Sequence, residues 1–241
     1  MGLHSRMRRL TTIAALACLP AGWLTGCAGT TAGTAMPVAP TTATTTVDAL
    51  PSLLLSAADL GAAVNAGEIV VTAEVNAPWN DSLHFQGPGE AGCLAIAGAA
   101  QKGVYADSGW AALRGQVLRE PPSAAHWSHF ATQAVVLFPT PGAAQEFFTR
   151  SQAGWQSCAD RDINYAQPPI PDQVWTVSPV SVDRGVLTVS RIQRSPELWS
   201  CQRALTVRSN VAVDVEACSL DGPTAAAAAI VDAIGARLPA A

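Results

Sequence analysis

The sequence predicts an α+β fold, a mostly antiparallel β-sheet with helices packed on it and two disulfides. Three observations predict it. Two β-rich runs, residues 201–208 and 211–218, flank Ser209-Asn210 as the strands of a hairpin flank a turn. Ala144, Phe147, Phe148, Ser151 and Trp155 recur at helical spacing and predict one buried helix face. Four cysteines, Cys93, Cys158, Cys201 and Cys218, remain in the part of the chain expected to be exported, an even number that suggests two bridges.

The export expectation comes from residues 1–26, read as a lipoprotein signal peptide. Arg6, Arg8 and Arg9 precede an apolar run over residues 11–24, too short for a stable membrane-spanning helix. Leu24-Thr25-Gly26-Cys27 follows, with small residues at the cleavage point and the Cys27 thiol as the nucleophile for the diacylglycerol. Each acyl chain contributes ~0.8 kcal/mol per buried CH2, so two or three chains hold a protein on a membrane durably. The expected location is the outer face of the cell membrane, lipid-anchored, with the membrane as a partner through that anchor. Residues 27–49 carry eight threonines and one charge, Asp48, and read as a flexible Thr/Ala/Pro-rich tether. The folded domain is expected over residues 50–241, long enough for one well-buried core.

Charge excludes some functions. Loss of Arg6, Arg8 and Arg9 lowers the basic residues from 14 to 11 against 18 acidic ones, a formal net charge of −7. Lys102 is then the only lysine, so neither nucleic acid nor an anionic surface is an expected partner.

Within the domain, Ser56-Ala57-Ala58-Asp59 has the form of a capping box and opens a short helix through Val64. Residues 68–75 are rich in β-branched side chains and predict a strand; residues 93–97 suit a helix. A strand over residues 110–120 ends at Pro121-Pro122, a second covers residues 129–138, and another covers 186–193. A cap at Asp221 and a first-turn Pro223 predict a C-terminal helix with Ile230, Val231, Ile234 and Leu238 as its apolar stripe. If Ser209-Asn210 forms a two-residue turn, paired residues sum to 419 and Cys201 lies opposite Cys218, at a non-hydrogen-bonded position where side chains approach closest. Ser-Asn is not the strongest turn pair, so a longer loop with shifted register is the alternative. By elimination Cys93 then pairs with Cys158.

Chemistry-bearing residues are sparse. No G-x-S-x-G, H-E-x-x-H, G-x-G-x-x-G or P-loop pattern occurs. His126 and His129 are three apart but enter a strand, where such residues face opposite ways, so no metal, cofactor or catalytic residue is assigned. Trp110, Arg114, Gln116 and Glu120 share one strand face, and an aromatic plane beside a guanidinium, an amide and a carboxylate suits the lining of a polar ligand cleft. A solvated outer sheet face fits the same pattern. The other tryptophans are assigned mainly to the core, Trp155 foremost.

Several segments carry a family resemblance: residues 53–60 (LLLSAADL), Tyr105 with Ser108-Gly109-Trp110, Arg114-Gly115-Gln116 with Arg119-Glu120-Pro121, and residues 133–138 (QAVVLF). Trp155-Gln156-Ser157-Cys158, residues 199–205 (WSCQRAL) and residues 210–215 (NVAVDV) continue it. In order and cysteine spacing they resemble the PknH-like extracellular sensor domain family of mycobacteria, including lipoproteins that carry the domain without a kinase. The resemblance runs from about residue 50 to the end. It implies an antiparallel sheet with packed helices, disulfides Cys93–Cys158 and Cys201–Cys218, and a V-shaped polar cleft suspected of binding a ligand. The expected function is a non-enzymatic, lipid-anchored, sensor-like module for an unknown small or cell-envelope-derived ligand, with an envelope protein as a possible partner. The alternatives are an envelope hydrolase using a serine and one of His84, His126 and His129, or a carrier of lipids or glycolipids.

Overall fold

The computed structural model describes residues 44–79, 83–124, 126–167, 169–196 and 198–239; the expected signal peptide, Cys27 and the expected tether through residue 43 lie outside the described residues. The chain joins the domain earlier than expected. A 3-10 turn, Val47–Ala49, leads into α1, Leu50–Leu53, and Leu50 is fully buried. Residues 44–49, assigned above to the tether, are held by the hairpin turn. Thr45 donates its N–H to Asn210 Oδ1 (2.8 Å), and its carbonyl accepts from Asn210 Nδ2 (3.0 Å). No local pattern could show this, because the partner lies 165 residues away.

The expected cap opens α2, Ala57–Ala63: Ser56 Oγ accepts from the Asp59 N–H at 3.1 Å and donates to the Asp59 carboxylate at 2.8 Å. Then come β1 (Val70–Val75), β2 (His84–Phe85), a 3-10 turn (Glu90–Cys93), α3 (Leu94–Ala97) and α4 (Lys102–Tyr105). β3 (Ala112–Arg119) and β4 (His129–Leu137) precede α5, Pro141–Gln156. Thr140 caps α5 by accepting from the Ala143 N–H, and all five residues of its predicted stripe are buried. β5 (Asp162–Gln167), β6 (Ile170–Val177), β7 (Ser181–Asp183) and β8 (Val186–Gln193) lead to the hairpin β9 (Ser200–Arg208) and β10 (Val211–Ser219). The chain closes with α6, Ala226–Gly235.

The hairpin has the two-residue turn, with Ser209 at φ +50°, and Cys201 lies opposite Cys218 with Cα atoms 4.0 Å apart. Both bridges form, Cys93–Cys158 and Cys201–Cys218. One correction falls on α6, which starts at Ala226 and not next to Asp221. Gly222 turns the chain at φ +111°, and Asp221 faces His129 instead of capping the helix.

All strands join one antiparallel sheet in the order β1-β3-β4-β10-β9-β8-β6-β5-β2, with β7 paired to β8. Both faces of its centre are buried. On β10, Val211, Val213, Val215 and Ala217 meet a core shared with α1, α2 and α6. The alternate positions Ala212, Asp214, Glu216 and Cys218 point the other way, towards the side where α3, α4 and α5 pack, so a period of two separates an apolar row from a partly polar one. That second face carries the site.

Candidate functional site

Strand register assembles a cleft of about 560 Å³ on the second face. Phe130 pairs with Cys218, Cys218 with Cys201 and Cys201 with Arg191, a line across β4, β10, β9 and β8. Thr132 lies between Val117 and Glu216 in the adjacent line. β6 keeps only three pairs with β8, Trp175–Gln193 to Val177–Arg191, while it runs on with β5 to Gln167–Ile170. The β5–β6 hairpin thus extends beyond the sheet, and its Tyr165, Gln167, Ile170 and Gln173 line the cleft with Trp175.

The wall containing Ala97, Gly98, Ala99 and Gln101 is fastened by two buried arginine–carboxylate pairs. Arg191 donates to the carbonyls of Ile96 (2.6 Å) and Ala97 (2.8 Å) and to the carboxylate of Glu216. Burial opposes the Arg191 charge, but neighbouring Tyr165 and Glu216 outweigh it and raise the guanidinium pKa above its usual value. Arg203 donates to Asp214 Oδ1 (2.7 Å) and to the carbonyl of Ala95. Asp214 Oδ2 also accepts from the Ala100 N–H (2.8 Å) and the Tyr105 hydroxyl (3.0 Å). Burial, then the Asp214 charge, holds the Tyr105 pKa well above 10.0, so the phenol keeps the proton it donates. Trp79 docks on this wall through backbone bonds to Ala100 and Lys102.

Four tryptophans line the cleft: Trp79, Trp127, Trp175 and Trp199. Trp127 and Trp199 have ring centroids 5.3 Å apart, and Trp175 stacks on Tyr165 at 6.1 Å. Trp175 is both buried in the core and part of the cleft lining. Trp155 is core as expected, but Trp110 packs partly buried against that core and does not line the cleft.

The other three expected site residues are also elsewhere. Arg114 donates to the carbonyl of Leu113. Gln116 donates to Glu74 and accepts from Gln133, whose amide also clamps the backbone of Leu55. Glu120 is bound to His129. The polar positions of β3 share their face with Leu118 and Ala112, which belong to the first core, whereas Val117 on the opposite face reaches the cleft. The four therefore form no common site.

Around Glu120 the structure does gather a serine, a histidine and a carboxylate. His129 Nδ1 lies 2.7 Å from Glu120 Oε1 and 3.2 Å from Ser128 Oγ, while Nε2 faces Asp221 at 3.3 Å. A serine relay needs serine and acid on opposite ring nitrogens, and here both share Nδ1. The cluster instead clasps the start of β4. Burial raises the Glu120 pKa, but hydrogen bonds from the His129 side chain and from the backbone of Glu120 itself, His129 and Ser128 pull it further down, to about 2 from 4.5. A depressed folded-state pKa stabilises the fold above the unfolded value, and that contribution is lost as pH falls through the folded one. Glu120→Gln is expected to lower stability at pH 7 by about 1.5–3 kcal/mol, the scale of a hydrogen bond to a charged group. Urea unfolding of both proteins should show the gap narrowing from pH 4.5 towards pH 2. A gap that persists undiminished at the acid end contradicts the assignment.

Cys201, Glu216 and Cys218 bring two sulfurs and a carboxylate within 4.8 Å of one another, but the sulfurs are bonded together and offer no thiolate to a metal.

The fold and cleft define a disulfide-bonded, two-faced antiparallel α+β domain with a ligand-sized, aromatic-walled cavity. The chain belongs to the family described as the PknH-like extracellular domain, whose model matches residues 45–237. The extracellular domain of PknH from Mycobacterium tuberculosis has a similar solved structure, with a TM-score of 0.75 and 27% identity over 82% of this chain and 98% of that chain. The serine/threonine-protein kinase PknH of Mycobacterium bovis is 35% identical over 126 residues, 52% of this chain and 21% of the kinase. The kinase of the same name from M. tuberculosis H37Rv matches equally, over 20% of its length. The matched segment thus spans about a fifth of these curated relatives.

Proposed function

We propose that the protein is a lipid-anchored extracytoplasmic module that binds a small or envelope-derived ligand in the aromatic cleft and acts as a sensor-like component without chemistry of its own. The cleft itself supports this reading most strongly. Its volume of about 560 Å³ falls within the roughly 300–1,000 Å³ of small-molecule sites. It also combines aromatic walls with a few buried polar groups, the usual make-up of such sites. The family adds an extracellular setting, in which two disulfides are stable. Arg6, Arg8, Arg9, the apolar run and Leu24-Thr25-Gly26-Cys27 are the pattern that supports a lipid anchor at Cys27.

Two measurements on the full-length chain test the two halves of this reading. Cys27→Ser should move it from the membrane fraction to the soluble one. A saturating ligand from an envelope extract, at 100 times its Kd, stabilises by about 2.7 kcal/mol. For a domain of this size that raises Tm by roughly 5–10 °C. The rise should shrink when Trp127 or Trp199 is changed to Ala. A Tm unmoved by any extract fraction sinks the binding half, and unchanged membrane retention of C27S sinks the anchor.

A further inference from the structure

Resting on the reading of the cleft as a ligand site, we propose that its ligand is a short neutral oligosaccharide, held by stacking on indole faces and by hydroxyl hydrogen bonds to buried amides. Eight buried side-chain polar atoms among the described residues have no hydrogen-bond partner in the protein. Four of them belong to residues that line this one cleft: Gln101 Oε1, Gln193 Oε1, Trp175 Nε1 and Arg191 Nε. All four residues are more than nine-tenths buried. Buried polar atoms are seldom left unpaired, because desolvating them without a partner is costly. The four atoms lie buried just beneath the lining of one cavity, and two acceptors and two donors so placed suit a ligand whose groups both donate and accept. A sugar hydroxyl does both.

Charge and aromatic geometry narrow the choice further. Among the described residues the only charged ones lining the cleft are Arg191 and Glu216, which neutralise each other in a buried pair. A charged ligand would find no free counter-ion among these described residues. The remaining polar lining is mostly amide: Gln101, Gln167, Gln173 and Gln193. Indole faces carry the negative side of the ring quadrupole and attract either cations or the C–H faces of sugar rings. A cationic guest meets competition, because Arg191 already sits over Trp175 at 4.9 Å and Arg119 over Trp127 at 5.4 Å. Neutral rings with apolar faces and hydroxyl edges carry no charge for those guanidinium groups to repel.

The test is a tryptophan-fluorescence titration of the full-length protein with cellotriose, mannotriose, galactotriose and arabinotriose, and in parallel with choline and inorganic phosphate. At least one trisaccharide should give a saturable change. Gln193→Leu should weaken it about 3- to 10-fold, the scale of one or two hydrogen bonds. The same change should leave the Tm of the free protein unchanged or raised, because the amide oxygen it removes has no partner. Trp127→Ala, at an exposed ring, should weaken binding by a similar factor without unfolding the domain. Trisaccharide binding that ignores both substitutions puts the sugar elsewhere and overturns the proposal. Choline or phosphate bound in place of every saccharide, and sensitive to Trp127→Ala, overturns the glycan and keeps the ligand cleft. No saturable change with any probe, joined to native mass spectra without retained small molecules, overturns both.

Discussion

Asp214→Ala is expected to destabilise the protein by about 3–5 kcal/mol, the cost of removing one partner from a buried ion pair. Arg203 is 2% exposed and would keep its carbonyl acceptors but lose the carboxylate that balances its charge. The Ala100 N–H and the Tyr105 hydroxyl would lose their acceptor in the same step. Stability of a domain is typically only about 5–15 kcal/mol, so the variant should sit near the edge of folding. Urea unfolding monitored by fluorescence gives the number. Asp214→Asn, which keeps an acceptor but not the charge, should fall between. Because Asp214 also fastens the segment that forms one cleft wall, ligand binding should weaken in whatever fraction stays folded. A loss below 1 kcal/mol for Asp214→Ala would mean that water reaches Arg203 and that the wall is held by other groups.

Removing the Cys93–Cys158 bridge by the double change to serine is expected to cost about 4 kcal/mol. The bridge spans 65 residues, and in the chain-entropy model its stabilisation grows with the logarithm of the loop it closes. It ties the turn before α3 to the end of α5, two elements that cover the same sheet face. For a protein of this size the loss corresponds to a fall in Tm of roughly 8–16 °C. The shorter bridge, Cys201–Cys218, spans 17 residues and by the same relation contributes about 3 kcal/mol. Calorimetry of the two double variants should therefore rank the long bridge as the more costly loss. The reverse ranking would show that native packing around the cleft floor, where Cys201 and Cys218 lie, outweighs unfolded-chain entropy.

Much of the fold was legible because its signals are local. The α5 stripe needs only a period of 3.6, the α2 cap only Ser56 and Asp59, and the hairpin only two β-rich runs around Ser209-Asn210. The cysteine pairing followed from that hairpin, since opposite positions in an antiparallel ladder are fixed once the turn is fixed. β5 and β6 were not legible. Their sequence runs through Pro168-Pro169-Ile170-Pro171 without clean alternation, and their strand character comes from pairing with each other and with β8.

The site was the least legible part, and the error on β3 shows why. Alternation along Trp110–Glu120 separates two faces correctly, but it does not say which face meets a cavity and which meets a second core. Gln116 looked like a ligand group because it is polar; it is engaged by Gln133 and Glu74. The cleft takes Val117 from β3 and its aromatic walls from segments on either side, such as Trp79, Trp127 and Trp199. The tryptophans themselves were visible, and their number in so short a domain was the one available signal.

By itself the sequence determined the antiparallel hairpin that sets Cys201 against Cys218 and the helix face that buries Trp155. Each depends on neighbours within a few turns or one hairpin of chain. Only the tertiary structure decided where the cleft lies, that Arg191 and Glu216 neutralise each other in its floor, and that Thr45 belongs to the domain through Asn210. Those outcomes depend on register across separate strands and on partners up to 165 residues apart, and residue periodicity carries no record of either.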